Sequence, residues 1–291
     1  MYMFTSTLPK ARLPAMKQAF SFGLRPIILE INSLFLPDLM WDSKMNIELF
    51  STHKEVPESY LVGKNVLVID VLRATSVIVT ALGNGAKKIR TTSNIEDAFS
   101  AKERNATLLL GGERQAKKIP GFDFGNSPLE YTADKIKDKV IVLSTTNGTQ
   151  AIKKAEGAKI LIAAAFLNLH AVVDFILETN EDFSIICSGT NGNFSLDDGL
   201  CAGLMIHELK KRKNISSNDF AELLALPFKG NLFSLKELVE PAFHLALLRG
   251  EGHQNDIDFC LTTDSVNTIP IWQLDGFVAR KEEINFQKRL K

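Results

Sequence analysis

Four segments of the sequence carry charged, hydroxyl or amide side chains directly after a short apolar run. They are Asp70-Val71-Leu72-Arg73-Ala74-Thr75-Ser76, Gly111-Gly112-Glu113-Arg114, Ser144-Thr145-Thr146-Asn147-Gly148-Thr149 and Ser188-Gly189-Thr190-Asn191-Gly192-Asn193. In an open α/β sheet, ligands bind outside the carboxyl ends of the strands. Carboxylates are ligands that magnesium prefers, while free backbone N–H groups and arginines bind phosphate. The four segments therefore predict a site for a metal ion and a phosphorylated compound.

The first segment predicts both a metal ligand and phosphate contacts within one turn. Asp70 follows the apolar residues 66–69, which places its carboxylate at a strand tip. Arg73, with Thr75 and Ser76 at the start of the next helix, can bind phosphate oxygens. The alternative is that Asp70 only caps that helix.

A second, uncharged cradle follows the apolar run 140–143. Gly148 permits close approach of the backbone, and neighbouring hydroxyl and N–H groups supply hydrogen-bond donors. A plain helix cap at Asn147 or Thr149 explains the same pattern. The substrate-binding residues predicted in this segment are Thr145, Thr146, Asn147, Gly148 and Thr149.

Three residues from other segments complete the predicted substrate contacts. Asn191 follows the apolar run 184–187, and Lys117 lies just beyond the second polar segment. His253 stands in a polar turn, where the alternative is simple exposure to solvent. The predicted catalytic residues are Asp70, Arg73, Glu113 and Arg114.

The carboxylates predict a magnesium ion as cofactor. Mg²⁺ takes a few carboxylate oxygens and keeps the rest of its shell for water and phosphate. No His or Cys pair has the spacing of a zinc site. The sequence leaves open which acids coordinate, because Asp197 and Asp198 also suit the first turn of a helix. The predicted metal ligands are Asp70, Glu113, Asp123, Asp197 and Asp198.

Composition excludes several broad classes. The 291 residues carry 34 Lys and Arg against 34 Asp and Glu, so the net charge favours neither nucleic acid nor an anionic membrane. No stretch approaches the ~20 apolar residues of a membrane span. The three cysteines match no disulfide or zinc pattern, which favours a reducing compartment and a cytoplasmic location. The expected partner is a small anionic phosphorylated substrate, and the sequence leaves a homo-oligomer open.

Short apolar runs alternate with helical stretches, which predicts βαβ units and a largely parallel or mixed sheet. Residues 1–44 are predicted to be an extension outside the fold, because 45–50 reads as a first strand. Residues 45–291 then form the main domain, and two similar subdomains with a break near 157–180 are left open. The strands are predicted at 66–69, 88–90, 107–110, 140–143, 159–162 and 184–187, and the helices at 75–82, 93–104, 149–156, 168–178 and 196–213.

Several of these blocks resemble one known family, the 2-phosphosulfolactate phosphatases. The resemblance covers about residues 45–275. It rests on the segment 70–76, on 111–114, on 120–128 (PGFDFGNSP), on 145–149, on 197–203 (DDGLCAG) and on 252–261 (GHQNDIDFCL). The order of several long blocks makes it more specific than one short motif.

The resemblance implies a three-layer α/β/α fold and a magnesium-dependent hydrolase. The implied reaction converts (2R)-phospho-3-sulfolactate to 3-sulfolactate and phosphate, a step towards coenzyme M, or acts on a related phosphorylated hydroxy acid. One departure is Gln115-Ala116-Lys117-Lys118, which stands where the family would have more glycine. Contacts to substrate in that turn are therefore expected to differ.

Two rival functions are considered. A haloacid-dehalogenase-like phosphatase would use Asp70 as a nucleophile, but that class needs a second Asp two residues later, where this chain has Leu72. The other rival is a non-catalytic module that binds a phosphorylated metabolite. Metal-dependent release of phosphate distinguishes an enzyme from such a module.

Overall fold

The computed structural model of the protein describes residues 44–230 and 233–280. Within them, eleven strands form one sheet. They are β1 Asn46–Phe50, β2 Asn65–Ile69, β3 Lys88–Thr91, β4 Leu109–Arg114, β5 Lys117–Lys118, β6 Val140–Ser144, β7 Ile160–Ala164, β8 Phe183–Cys187, β9 Ser216–Ser217, β10 Pro270–Gln273 and β11 Gly276–Ala279. Eleven α-helices accompany them: α1 Glu58–Leu61, α2 Ala74–Gly83, α3 Ile95–Arg104, α4 Ala133–Ile136, α5 Gly148–Lys154, α6 Leu169–Thr179, α7 Leu196–Arg212, α8 Asp219–Ala225, α9 Leu235–Val239, α10 Phe243–Gly250 and α11 Gln254–Cys260. The predicted α/β class is confirmed.

The sheet consists of two parallel blocks joined by an antiparallel hairpin. Its strand order is β5-β4-β6-β3-β11-β10-β7-β2-β8-β1-β9. Strands β4, β6 and β3 are parallel to one another, and so are β7, β2, β8, β1 and β9. Between the blocks, β3 pairs antiparallel with β11, β11 with β10, and β10 with β7. Three successive reversals mean that the two blocks run in opposite directions.

The central strand β2 shows why the fold has three layers. All five of its residues are buried, as expected of a strand covered on both faces. Val66 and Val68 pack in the same core as residues of α2 and α5. Leu67 and Ile69 point the other way, into a core shared with α6 and α7. Helices therefore cover both faces of the sheet, which confirms the α/β/α arrangement.

The strand β7 and the helix α6 lie in the segment 157–180, where the sequence left a subdomain break open. β7 pairs with β2 along its whole length and continues the sheet towards β10. The predicted extension, residues 1–44, lies outside the described residues except for Lys44. No helix in the described part of the chain is long and apolar enough to cross a membrane.

Candidate active site

One cleft of about 470 Å³ collects side chains from all four polar segments. Its opposite wall is formed by α10, which contributes His244, Leu247 and Leu248, and by the adjacent Glu251. The predicted site residues that line it are Asp70, Arg73, Glu113, Arg114, Thr145, Thr146, Asn147 and Asn191. The structure thus brings together the strand exits of two blocks that run in opposite directions.

Asp70 both caps helix α2 and faces the cleft. Its Oδ1 accepts a hydrogen bond of 2.9 Å from the Ala74 N–H, so the helix-capping alternative is correct as far as this oxygen is concerned. Its Oδ2 makes no hydrogen bond within the described residues, and a Cβ placed on Gly148 would come within 2.6 Å of it. Only a glycine at 148 leaves room for that oxygen. One carboxylate oxygen is therefore structural, and the other remains open.

The turn after Asp70 is closed by its own hydroxyl groups. Thr75 Oγ1 accepts from the Asp70 N–H at 3.0 Å and donates to the Asp70 carbonyl at 2.8 Å. Ser76 Oγ donates to the Val71 carbonyl at 2.7 Å. Both hydroxyl side chains are fully buried. The predicted contacts of Thr75 and Ser76 with substrate have no exposed atom to make them, because the turn itself uses these hydroxyls.

A group of buried acids surrounds Asp70. Burial raises the pKa of Asp70 to about 7; the Ala74 N–H opposes that rise, and the charges of Asp197 and Glu113 add to it. Burial, with Asp197 and Asp70 nearby, likewise raises the pKa of Asp198 well above its ordinary value. The charge of Arg73 lowers the pKa of Asp70, but it does not outweigh burial and the neighbouring carboxylates.

The neighbouring aspartates differ in what they bind. Asp198 accepts from the Val71 N–H at 2.8 Å and from the Gly189 N–H at 3.0 Å, so it ties the exits of β2 and β8 together. Asp197 Oδ1 accepts from the Ser195 hydroxyl, whereas its Oδ2 is buried with no hydrogen-bond partner in the described part of the chain. Both carboxylate oxygens of Asp198 therefore bind backbone N–H groups, whereas one oxygen of Asp197 makes no hydrogen bond within the described residues.

Two of these carboxylate oxygens are of the type that magnesium takes as ligands. No group of three or more His, Cys, Asp or Glu among the described residues could hold a metal ion. Magnesium, however, is commonly held by only one or two carboxylates, with water and substrate phosphate filling its shell. Asp70 Oδ2 and Asp197 Oδ2 supply two unbonded carboxylate oxygens in a region of excess negative charge. They are the best candidates among the predicted ligands.

Glu113 and Arg114 line the cleft but are committed to the backbone. Glu113 Oε1 accepts from the Thr146 N–H and its Oε2 from the Ala116 N–H, both at 2.9 Å. Arg114 Nη1 donates to the carbonyls of Glu113 and Ser144, and its Nη2 donates to the Ser93 carbonyl and the Ser144 hydroxyl. Either residue would have to give up some of these hydrogen bonds to take its predicted catalytic role.

The turn between β4 and β5 has an unusual backbone. Gln115 and Ala116 have φ values of 54° and 61°, in the left-handed region that favours glycine. This is the turn in which the sequence has less glycine than its resemblance implies. The Ala116 N–H bonds to Glu113, and His253 Nε2 lies 3.2 Å from the Ala116 carbonyl. Side chains on both sides therefore hold the turn in a conformation that glycine would adopt more readily.

Only some residues of the second predicted binding segment, 145–149, reach the cleft. Thr149 donates through Oγ1 to the Thr145 carbonyl at 2.7 Å and is buried, as is Gly148. Asn147 Oδ1 accepts from the Asn191 N–H at 3.2 Å, so the two amide-bearing turns brace each other across the cleft. Thr145, Thr146 and Asn147 reach the cleft, whereas Gly148 and Thr149 support it from behind.

Nine predicted site residues do not line the cleft. Six of them are buried: Thr75, Ser76, Gly148, Thr149, Asp197 and Asp198. The other three lie elsewhere. Asp123 is bonded to Lys102 Nζ and the Leu110 N–H, so its carboxylate fixes a loop rather than joining the other acids. Lys117 is largely exposed and lies 3.7 Å from Glu251. His253 directly precedes α11 and contacts Ala116 from outside.

Several cleft residues and their supports were missed by sequence reasoning. Asn126 lines the cleft, and its Oδ1 is buried without a partner among the described residues. Asp256 binds Arg73 from behind. Both lie in the blocks that carry the family resemblance, and that was the available signal. The wall formed by α10 has no such motif, because His244 and Leu247 lie in an ordinary amphipathic helix.

Comparison with known proteins gives one consistent result. The family model described as 2-phosphosulpholactate phosphatase matches residues 50–275. A protein of Caldanaerobacter subterraneus named "Probable 2-phosphosulfolactate phosphatase" is 42% identical over 231 residues, which is 78% of this chain and 95% of that protein. Proteins with the same name are 41% identical in Clostridium novyi (78% of this chain, 96% of that protein) and 45% identical in Thermotoga maritima (71% and 88%).

Proposed function

Because this chain belongs to the 2-phosphosulfolactate phosphatase family, a family of phosphoric monoester hydrolases, we propose that it hydrolyses 2-phosphosulfolactate, or a related phosphorylated hydroxy acid, with Mg²⁺. The products would be 3-sulfolactate and phosphate. One observation carries the proposal: a carboxylate oxygen of Asp70 and the guanidinium of Arg73, from one strand exit, face the same cleft with hydrogen-bonding capacity unused.

The chain's own residues account for binding and charge stabilisation. Phosphoryl transfer needs little covalent chemistry from a protein, so positioning and electrostatics supply most of the catalysis. Arg73 donates to the phosphoryl oxygens, on which negative charge accumulates as water attacks phosphorus and the ester oxygen leaves. Thr145, Thr146 and Asn147 bind the same group from the opposite turn. Burial behind these residues strengthens each of these interactions.

Asp70 and Asp197 would hold the magnesium ion. When bound, Mg²⁺ supplies positive charge that offsets the acids and polarises a phosphoryl oxygen. Asp70 also has a structural role apart from that chemistry, because it fixes the start of α2. Asp70 would therefore bind the metal and also orient the helix that follows Arg73.

The test is a phosphate-release assay on 2-phosphosulfolactate and on a panel of phosphorylated hydroxy acids. Turnover should vanish with EDTA and return with Mg²⁺. Full activity in a metal-free sample would show that the magnesium part is wrong. Binding of these compounds without phosphate release, with Mg²⁺ present, would instead identify a non-catalytic module.

A further inference from the structure

Arg73 is held from behind by a carboxylate that does not line the cleft. Its Nη1 contacts Asp256 Oδ2, and the exposed fractions of the two side chains are 2% and 6%. Asp256 Oδ1 accepts a hydrogen bond from the Ser127 hydroxyl. His253 Nδ1 lies 3.5 Å from the same carboxylate. A buried ion pair of this kind is costly to break, because removing one charge leaves the other unpaired.

The contact joins three distant parts of the chain. Arg73 belongs to the turn after β2, Ser127 to the glycine- and proline-rich loop after β5, and Asp256 to α11. The only hydrogen bond of the Arg73 guanidinium within the described residues is the one to Asp256. Its remaining N–H groups therefore stay available. A guanidinium offers five donors in a rigid fork, so fixing one terminal nitrogen sets the direction of the others.

We propose that Asp256 is a positioning residue, which orients the Arg73 guanidinium so that its unused N–H groups face the phosphoryl group in the cleft. Asp256 acts through Arg73 and does not touch the substrate. Ser127 fixes the second oxygen of Asp256, so the glycine- and proline-rich loop helps to set the geometry of the arginine. The inference rests on the proposed function for the identity of the ligand, a phosphoryl group.

A double-mutant cycle tests the proposal in the full-length protein. Asp256→Asn keeps the shape and removes the charge. In the native background, kcat/KM should fall about 10-fold or more, within the range measured for coupled neighbouring residues. In an Arg73→Ala background, the same substitution should change kcat/KM less than about two-fold, because there is no guanidinium left to orient. An equal loss in both backgrounds, or no loss in the native one, overturns the proposal.

The same cycle is measured for binding of inorganic phosphate by calorimetry, which does not depend on turnover. If the native protein binds phosphate but releases none from any ester, the proposed function is wrong. The double-mutant cycle can then still be measured by phosphate binding. Absence of both phosphate binding and phosphate release in the native protein overturns both. Asp258→Asn is the matched control, because Asp258 lies on the same helix and its side chain is 54% exposed. It should leave both measurements unchanged.

Circular dichroism and the melting temperature separate positioning from folding. If Asp256→Asn does not fold, Ser127→Ala takes its place and removes only the hydroxyl that holds Asp256. It should lower kcat/KM and phosphate affinity about two- to five-fold with Arg73 present, and by no more than measurement error with Arg73→Ala. A loss of equal size in both backgrounds contradicts the proposal here as well.

Discussion

The turn after β2 and the last two residues of β4 offer the cleft the same pair of residue types, a carboxylate and an arginine, but use them differently. At β2, Asp70 keeps one oxygen unbonded and Arg73 uses one guanidinium nitrogen. At β4, both oxygens of Glu113 and both terminal nitrogens of Arg114 bind backbone or hydroxyl groups. The hydrogen bonds of these side chains therefore distinguish the two turns, whereas their residue types do not.

The largest expected effect is that of Asp70→Asn. It removes the charge beside the phosphoryl group, and turnover should fall at least ~100-fold, the lower end for losing a major electrostatic element. The melting temperature should change little, because the Asn carbonyl can still cap α2 at the Ala74 N–H. Steady-state kinetics with varied Mg²⁺ measures the effect.

Glu113→Gln is the matched variant at the other exit. The amide places an NH₂ group against the N–H of either Thr146 or Ala116, which leaves a partly buried donor without an acceptor. We expect a loss of about 1–3 kcal/mol in the free energy of unfolding, with a smaller loss of turnover than at Asp70. If Glu113→Gln abolishes turnover without loss of stability, the contrast between the two exits is wrong.

Arg73→Lys should rank next, with a loss of about 10-fold in kcat/KM, because an ammonium cannot contact Asp256 and the phosphoryl group in a fixed fork. Arg114→Lys should instead lower the melting temperature, because four hydrogen bonds to the chain depend on its guanidinium. Kinetics and thermal unfolding of both variants check the pair. Equal kinetic losses would give Arg114 a direct role.

The position of the cleft and the class of the fold could be predicted from the sequence. The polar residues after 66–69 and 140–143 predicted the location of the cleft, and the alternation of elements predicted the α/β class. The sequence left open whether the sheet is largely parallel or mixed; it is mixed, because β10 and β11 insert between β3 and β7 and reverse one block. Such an insertion pairs residues far apart in sequence and leaves no local pattern.

The distinction between open and committed side chains could not be read from sequence. Glu113 and Asp70 look alike until the partner of each oxygen is known. Asp123 is similar: it lies in a block that carries the family resemblance, yet its carboxylate binds Lys102 and the Leu110 N–H. Asp256 lies 183 residues from Arg73, and nothing in the local sequence links them.

Gly148→Ala perturbs Asp70 from the neighbouring helix α5 and should have a moderate effect. A Cβ at this position would lie 2.5 Å from Ala74 Cβ and 2.6 Å from Asp70 Oδ2, so either α5 or the Asp70 carboxylate must shift. Overpacking of this kind costs about 1–3 kcal/mol, and kcat should fall several-fold. Gly250→Ala is the control, because its Cβ would meet nothing within 4 Å. Unchanged kcat in Gly148→Ala would show that the position of Asp70 Oδ2 does not matter.

The smallest expected effect is that of Asp123→Asn, which tests whether an acid outside the cleft is structural only. Partial burial raises the pKa of Asp123, but hydrogen bonds from Lys102 and the Leu110 N–H outweigh it, and the net pKa is lowered. Turnover and its dependence on Mg²⁺ should stay as in the native protein. A changed magnesium requirement would return Asp123 to the metal ligands.

The stability of Asp123→Asn should depend on pH in a defined direction. A carboxyl group whose pKa is lowered by folding stabilises the protein above its unfolded pKa of about 3.9. That contribution disappears as pH falls through the lower, folded value. The native protein should therefore be more stable than the variant at pH 7, by no more than about 1 kcal/mol because the pair is partly exposed and screened by solvent. Denaturant unfolding at pH 7 and at successively lower pH measures the difference in stability between the native protein and the variant. That difference should disappear below about pH 4. A constant difference would mean that the side chain acts through its shape and not through its charge.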